Sequence, residues 1–147
     1  MATRVNKAGE LRTDYHIIYD RLQPILKALG DEQYVKLESK GFMDLHVNRL
    51  NADFVAGEMA RGTHWNYYSL AHYYSQNGDM IPDPDMVVRV HIDNNMAEVW
   101  SYQDSFGYKE VYTEREGKVM VYQARKKDLN NFMKFWLRNL KAQGFFE

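Results

Sequence analysis

The sequence predicts an α+β fold: an antiparallel sheet packed by an N-terminal and a C-terminal helix. Three observations carry this. Apolar residues recur at three- and four-residue spacing near both ends of the chain. Between them the period falls to two over several short runs. Those runs are divided by Asn-, Asp- and Gly-rich corners that suit hairpins, so a meander of six or seven strands is expected.

Residues 1–12 are polar and aperiodic and read as a flexible tail, leaving 13–147 as a single domain large enough for one core. Thr13 or Asp14 can cap a first helix with Tyr15, Ile18, Tyr19, Leu22, Ile25, Leu26 and Leu29 on one face. Pro24 predicts a kink or a split in it, and Gly30 its end. Alternation then marks strands over 34–38 and 42–50, and residues 51–64 read as a loop with a short helical turn.

The stretch Asn66–Asp85, NYYSLAHYYSQNGDMIPDPD, draws the eye. It predicts a strand from about Asn66 to Ser75, an Asn-Gly corner, and a stiff acidic loop held by Pro82 and Pro84. Tyr68, Leu70, His72 and Tyr74 take one strand face, and Tyr67, Ser69, Ala71 and Tyr73 the other. Met86–Ile92 and Met96–Gln103 form a hairpin across Asp93-Asn94-Asn95, followed by a looser one from 107 to 123 turning at 115–118. A last helix should start at an Asp128 cap, bury Leu129, Phe132, Met133, Trp136, Leu137 and Leu140, and close at Gly144.

Charge is unevenly placed in a chain of net −1: residues 1–30 carry +2, 31–114 carry −8 and 115–147 carry +5. An acidic middle argues against nucleic acid as the main partner. No apolar run reaches the roughly 20 residues that span a bilayer, and the N-terminus lacks the apolar core of a secretory signal. With no cysteine, disulfides, thiolate nucleophiles and zinc–thiolate sites are excluded, and the cytoplasm is the expected compartment.

Signature motifs of phosphate-binding loops, nucleophile elbows and zincins are absent, and no cofactor is expected. His46, His72 and His91 fall on strands and can converge on a metal, yet none pairs with another at a ligand spacing, so no metal set is assigned. Asp79, Asp83 and Asp85 can surround a hard cation, but their spacing is not that of an EF-hand, and Asx-turns account for them equally well. The tyrosines and Trp100 either brace the sheet or anchor a protein partner. The binding set read from the sequence is Tyr68, His72, Tyr74, Asn77, Asp79, Asp83, Asp85, Trp100 and Tyr102.

Met86–Gln103 together with Asp128–Gly144 resembles a YqiB-like bacterial family of unknown function, through its Ala-Glu-Val hairpin and an N-x-F-x-x-W-L helix. Ala71–Asp85, AHYYSQNGDMIPDPD, is similar to small uncharacterised plasmid and phage proteins. The resemblance implies an α+β domain without an assigned activity. Two functions are therefore expected to compete. One is an accessory domain that binds an unidentified protein, including a mobile-element inhibitor of a host protein, with a homodimer allowed by the surplus of aromatics. The other is a metal-dependent hydrolase built on His72 with Asp79, Asp83 or Asp85.

Overall fold

The computed structural model describes residues 4–5, 11–60 and 64–147. Arg4–Val5 (β1) pairs with Leu11–Arg12 (β2), and the rest of the 1–12 stretch lies outside the described residues. Helix α1 (Asp14–Leu29) follows, capped by Thr13, with which His16 completes a capping box. Then come β3 (Tyr34–Leu37), β4 (Leu45–Leu50), a short α2 (Ala52–Ala56) running into a 3-10 turn at Gly57–Ala60, and two long strands, β5 (Trp65–Gln76) and β6 (Asp79–His91). Next are β7 (Met96–Asp104), β8 (Gly107–Glu110), the hairpin β9 (Tyr112–Arg115) and β10 (Lys118–Val121), and helix α3 (Gln123–Ala142).

The expected α+β architecture is what forms. Six antiparallel strands lie in the order β3-β4-β5-β6-β7-β8, with β9-β10 as a separate two-stranded sheet. One face of the large sheet carries Leu45, Val47, Tyr68, Leu70, Met86, Val88, Val90, Ala97 and Val99, all buried against Ile18, Leu22, Ile25 and Leu29 of α1 and Leu129, Met133, Leu137 and Leu140 of α3. The opposite face holds a smaller cluster in which Tyr67 and Trp100 pack beneath Ala56 and Ala60. The first core is thus the strand period of two meeting the helical stripes at both chain ends.

Five expectations need correction, each for a tertiary reason. Pro24 does not divide α1, which runs on as one 16-residue helix. A proline inside a helix costs about 3 kcal/mol. Burial of Ile18, Leu22, Ile25 and Leu29 on both sides of it outweighs that cost, at about 1.5–3 kcal/mol per side chain. Helix α3 starts at Gln123 rather than after Asp128. Its first turn is anchored by tertiary bonds, from Tyr122 N–H to the Val111 carbonyl (2.9 Å) and from Arg125 Nη1 to the Glu110 carbonyl (2.8 Å). On that helix Phe132 lies partly in solvent rather than in the buried stripe, leaning on Tyr102 and Trp136. The run 107–113 breaks at buried Val111, whose N–H bonds to the Trp100 carbonyl (3.0 Å), so β8 stays in the large sheet and β9 leaves it.

The fifth correction is the largest. Asp79–Asp85 is not a loop but the first half of β6, paired with β5 from Gln76–Asp79 onward. Asn77 and Gly78 both take positive φ (53° and 87°), the backbone that a two-residue hairpin turn requires, so the chain reverses at once. Prolines 82 and 84 fit because no strand pairs with β6 on its other side before Asp85.

A buried polar bond joins the layers. The register of β6 against β7 shifts between Val87 and Val88, and the Val99 N–H donates to Oδ1 of fully buried Asn130 on α3 (2.8 Å). Asn130→Ala should lower unfolding free energy by about 1–3 kcal/mol, because it leaves a buried N–H unpaired. Urea denaturation at fixed pH checks this, and a loss within error of zero would assign that N–H another partner.

Candidate functional site

Strand lengths create the most distinctive surface. Strand β4 pairs with β5 only as far as Ala71, and β7 pairs with β6 only as far as Asp85. Beyond those points β5 and β6 continue alone as a two-stranded arm, with the pairs Tyr73–Pro82, Tyr74–Ile81, Ser75–Met80 and Gln76–Asp79. At about 3.3 Å per residue the arm rises about 15 Å above its neighbours. In an antiparallel meander the β3–β4, β5–β6 and β7–β8 connections share one end of the sheet. The arm is therefore flanked at its foot by two shorter turns, each centred two strands away, about 10 Å.

Each of these turns presents a large apolar side chain to solvent: Phe42 (48% exposed) and Met43 (43%) on one shoulder, Met80 (62%) on the arm, and Phe106 (96%) on the other shoulder. The binding set read from the sequence contains none of the four, although Phe106 counts among the aromatics beside its strands. Their signal was an apolar residue beside a glycine or aspartate in a corner, as in GFMD, NGDM and DSFG. The turns are built rather than loose. Gly41 takes φ 89°, and the Phe42 N–H closes on the Ser39 carbonyl (3.1 Å). Asp104 accepts from the Phe106 N–H (2.8 Å), the Gly107 N–H (3.2 Å) and the Tyr102 hydroxyl (2.9 Å). The backbone bond from Phe106, then the Tyr102 bond, hold the Asp104 carboxyl below the usual aspartate range. Burial first, then that same bond, push the Tyr102 phenol up to about 12.

The segments 38–44, 72–85 and 104–107 carry Glu38, Asp44, Asp79, Asp83, Asp85 and Asp104 against Lys40 alone. The end is apolar at its tips and acidic around them.

The residues predicted from sequence divide among several places. Asn77, Asp79 and Asp83 come together on the arm, exposed, with half-buried Tyr74 on the opposing strand. Tyr102 stands at the foot, its ring against Phe132. Asp85 is half-buried on the far sheet face, where Ser69 Oγ donates to it (2.7 Å). His72 is buried at the arm's base, Nδ1 donating to the Asp44 carbonyl (2.9 Å) and its ring packed against Trp136 and Phe145. It is a pillar between sheet and α3. Among the described residues no three His, Asp or Glu side chains gather as a metal would need, so His72 and the arm aspartates do not form the cation site weighed above.

Tyr68 is buried on the helix side beneath Arg49, whose guanidinium lies 5.4 Å above its ring. Both line a cleft of about 820 Å3 beside the C-terminus of α1. Arg49 spends Nε and Nη2 on the Glu32 and Gly30 carbonyls (3.3 and 2.6 Å), which makes it a closure for that helix end.

Trp100 belongs to a buried knot on the opposite face. Arg89 lies over the rings of Trp65 (4.1 Å), Tyr112 (4.7 Å) and Trp100 (5.2 Å). Its Nε and Nη2 meet Glu98 Oε1 at 2.9 and 2.8 Å, the Tyr112 hydroxyl donates to the same oxygen (2.6 Å), and Lys126 stands 3.7 Å from Oε2. The Tyr67 hydroxyl is buried beside Arg89 without a well-directed hydrogen bond among the described residues, and burial raises its pKa. The knot fixes β6 to β7 and the β9–β10 hairpin to both.

A family model described as a domain of unknown function, DUF6908, matches residues 17–146. The chain belongs to this family. No curated protein and no solved structure matches it. The match spans α1 from Ile17 onward, all of α3 and every strand of the large sheet, so the arm, its shoulders and the knot all lie within the DUF6908 domain.

Substitutions at the knot and at Asp85 test these assignments. In this DUF6908 domain, Glu98→Ala strands a buried guanidinium and should cost about 3–5 kcal/mol, whereas Glu98→Leu with Arg89→Met should recover most of that loss. Urea midpoints decide it, and a mild single mutant would place the pair in solvent. Burial raises the Asp85 pKa, with the Ser69 bond offsetting part of the rise. The folded chain then holds the proton more tightly than the unfolded chain, so stability falls as pH climbs through the raised value. Asp85→Asn, which still accepts from Ser69, should raise the urea midpoint at pH 7. The gain should disappear below the ordinary aspartate pKa.

Proposed function

We propose that this DUF6908 domain is a protein-binding module that works through the apolar, acidic end of its sheet, on a partner with a basic surface and apolar pockets. The carrying observation is the set of three adjacent turns that hold Phe42, Met43, Met80 and Phe106 in solvent. Apolar side chains gathered this way mark interaction sites on soluble proteins. Aromatic anchors at such sites dominate binding energy, and the turn bonds that fix Phe106 reduce the ordering cost on association. The surrounding acids favour encounter with a basic partner and work against nucleic acid, whose phosphates they repel.

The likeness of Ala71–Asp85 to plasmid and phage proteins supports a narrower version. In it, the module comes from a mobile element and neutralises a host protein that is basic because it handles nucleic acid. Absence of cysteine suits action in the cytoplasm.

The test uses two variants of the full chain, Asp79→Lys with Asp83→Lys, and Phe106→Ala. Each should lose a partner that co-purifies with the wild type from host lysate, and should weaken binding to that partner, once purified, by about tenfold or more. The circular dichroism spectra should stay those of the wild type, and wild-type affinity should fall as salt rises. Undiminished affinity in both variants would overturn the proposal.

A further inference from the structure

The helix layer carries a surface that complements the arm. Helix α3 holds Arg125, Lys126, Lys127, Lys134, Arg138 and Lys141 against Asp128 alone. Several are engaged within the fold: Lys134 with Asp14 (2.8 Å), Lys126 with Glu98, and Arg125 with the Glu110 carbonyl. Arg138 and Lys141 are exposed and make no ion pair among the described residues. Arg138 stacks over Phe135, itself 54% exposed.

These two cations form part of the rim of a cleft of about 310 Å3 between α1 and α3. Arg21 adds a third cation, Asp20 is the one acid among the described lining residues, and Leu137 and Phe146 add apolar walls. An apolar floor under a cationic rim suits an apolar side chain flanked by carboxylates. The arm offers such groups on its two faces, exposed Met80 on one and Asp79 and Asp83 on the other, because successive strand residues alternate. A methionine also adapts readily to an irregular slot.

We infer that the arm docks on a second copy of this chain: Asp79 and Met80 of each protomer seat in the α1–α3 cleft of the other, giving a two-fold dimer. This rests on reading the arm as a protein-binding element, and names its occupant. Donor and acceptor surfaces lie close in one chain. His72 at the arm's base packs on Trp136 and Phe145, whose neighbours Leu137 and Phe146 line the cleft. That proximity permits the reciprocal contact of a closed dimer, in which residue i meets residue j and j meets i. A standard interface buries about 1,600 Å2 in all, so each of the two seats supplies about half.

Charge exchange tests the inference. Sedimentation equilibrium at low salt should give twice the 17.4 kDa chain mass for the wild type, shifting to monomer as salt rises. Asp79→Lys with Asp83→Lys makes both seats repulsive, and so does Arg138→Glu with Lys141→Glu, so each variant alone should be monomeric with an unchanged circular dichroism spectrum. Mixed in equal amounts, the two should form a heterodimer, because the reversed arm meets the reversed cleft at one seat and the native arm meets the native cleft at the other. A monomeric wild type, dimeric single variants, or a mixture that stays monomeric would overturn it. A monomeric wild type whose Asp79/Asp83 variant still loses a foreign partner would separate the two proposals, ending self-docking and sustaining the binding module.

Discussion

The pairing of β5 with β6 runs from Trp65–His91 at one end to Gln76–Asp79 at the other, well past the point where the flanking strands stop. Most of what distinguishes the molecule follows from that mismatch. In its shared length the hairpin contributes Tyr68, Leu70, Met86, Val88 and Val90 to the helix-facing core and Tyr67 to the cluster on the other face. In its free length it has no lateral partners, and an isolated two-stranded ribbon has little stability of its own. The transition therefore has to be braced. His72 supplies the brace, wedged between Trp136 and Phe145 and bonded to Asp44, and His46 does the same on the other face with Tyr73. Histidines at the foot of the arm hold it out from the sheet.

Polar groups divide by task. Those on the far face are spent internally: Arg89, Lys126 and the Tyr112 hydroxyl share the Glu98 carboxylate in a site walled by Trp65 and Trp100. Such a pair adds little net stability over an apolar equivalent, but breaking it is costly, so it ties the β9–β10 hairpin to one position. The acids at the arm and shoulders are instead mostly left in water. Asp85, bonded to Ser69, and Asp104 are exceptions, and the three hydrogen bonds of Asp104 serve to aim Phe106 outward.

What the sequence disclosed is what depends on neighbours in the chain. The apolar stripe of α1, the Asp93-Asn94-Asn95 corner with Asn95 at φ 53°, and the alternation from Leu45 to Leu50 are local signals that match the fold. The strand expected from Phe42, however, begins only at Leu45 and leaves Met43 exposed. The helical turn within 51–64 was legible from the same kind of cue, with Asn51 accepting from the Phe54 N–H. The errors arose where a distant segment decides. Prolines 82 and 84 suggest a loop until one knows that β7 ends its pairing at Asp85. Asp128 is a good cap by type, yet the bonds of Tyr122 and Arg125 to the β8–β9 corner start α3 six residues sooner, with Tyr122 at the cap position. Of the predicted binding residues, those on the arm share a surface, while Tyr68 and Trp100 fall on opposite faces, because alternation separates faces without saying what will cover them.

The same logic explains why a module can be built from so plain a meander. A sheet exposes its backbone at its edges, and here both edge strands, β3 and β8, are only four residues long, which limits unwanted strand addition. In the binding role proposed above, recognition moves from the edges to the turns, where side chains rather than backbone decide the partner. Turns tolerate change better than strands, so apolar anchors placed there can be exchanged without touching the core. The arm goes furthest along this route: braced at its foot by His72 and closed at its tip by Asn77-Gly78, it carries Asp79, Met80 and Asp83 away from the domain that stabilises it.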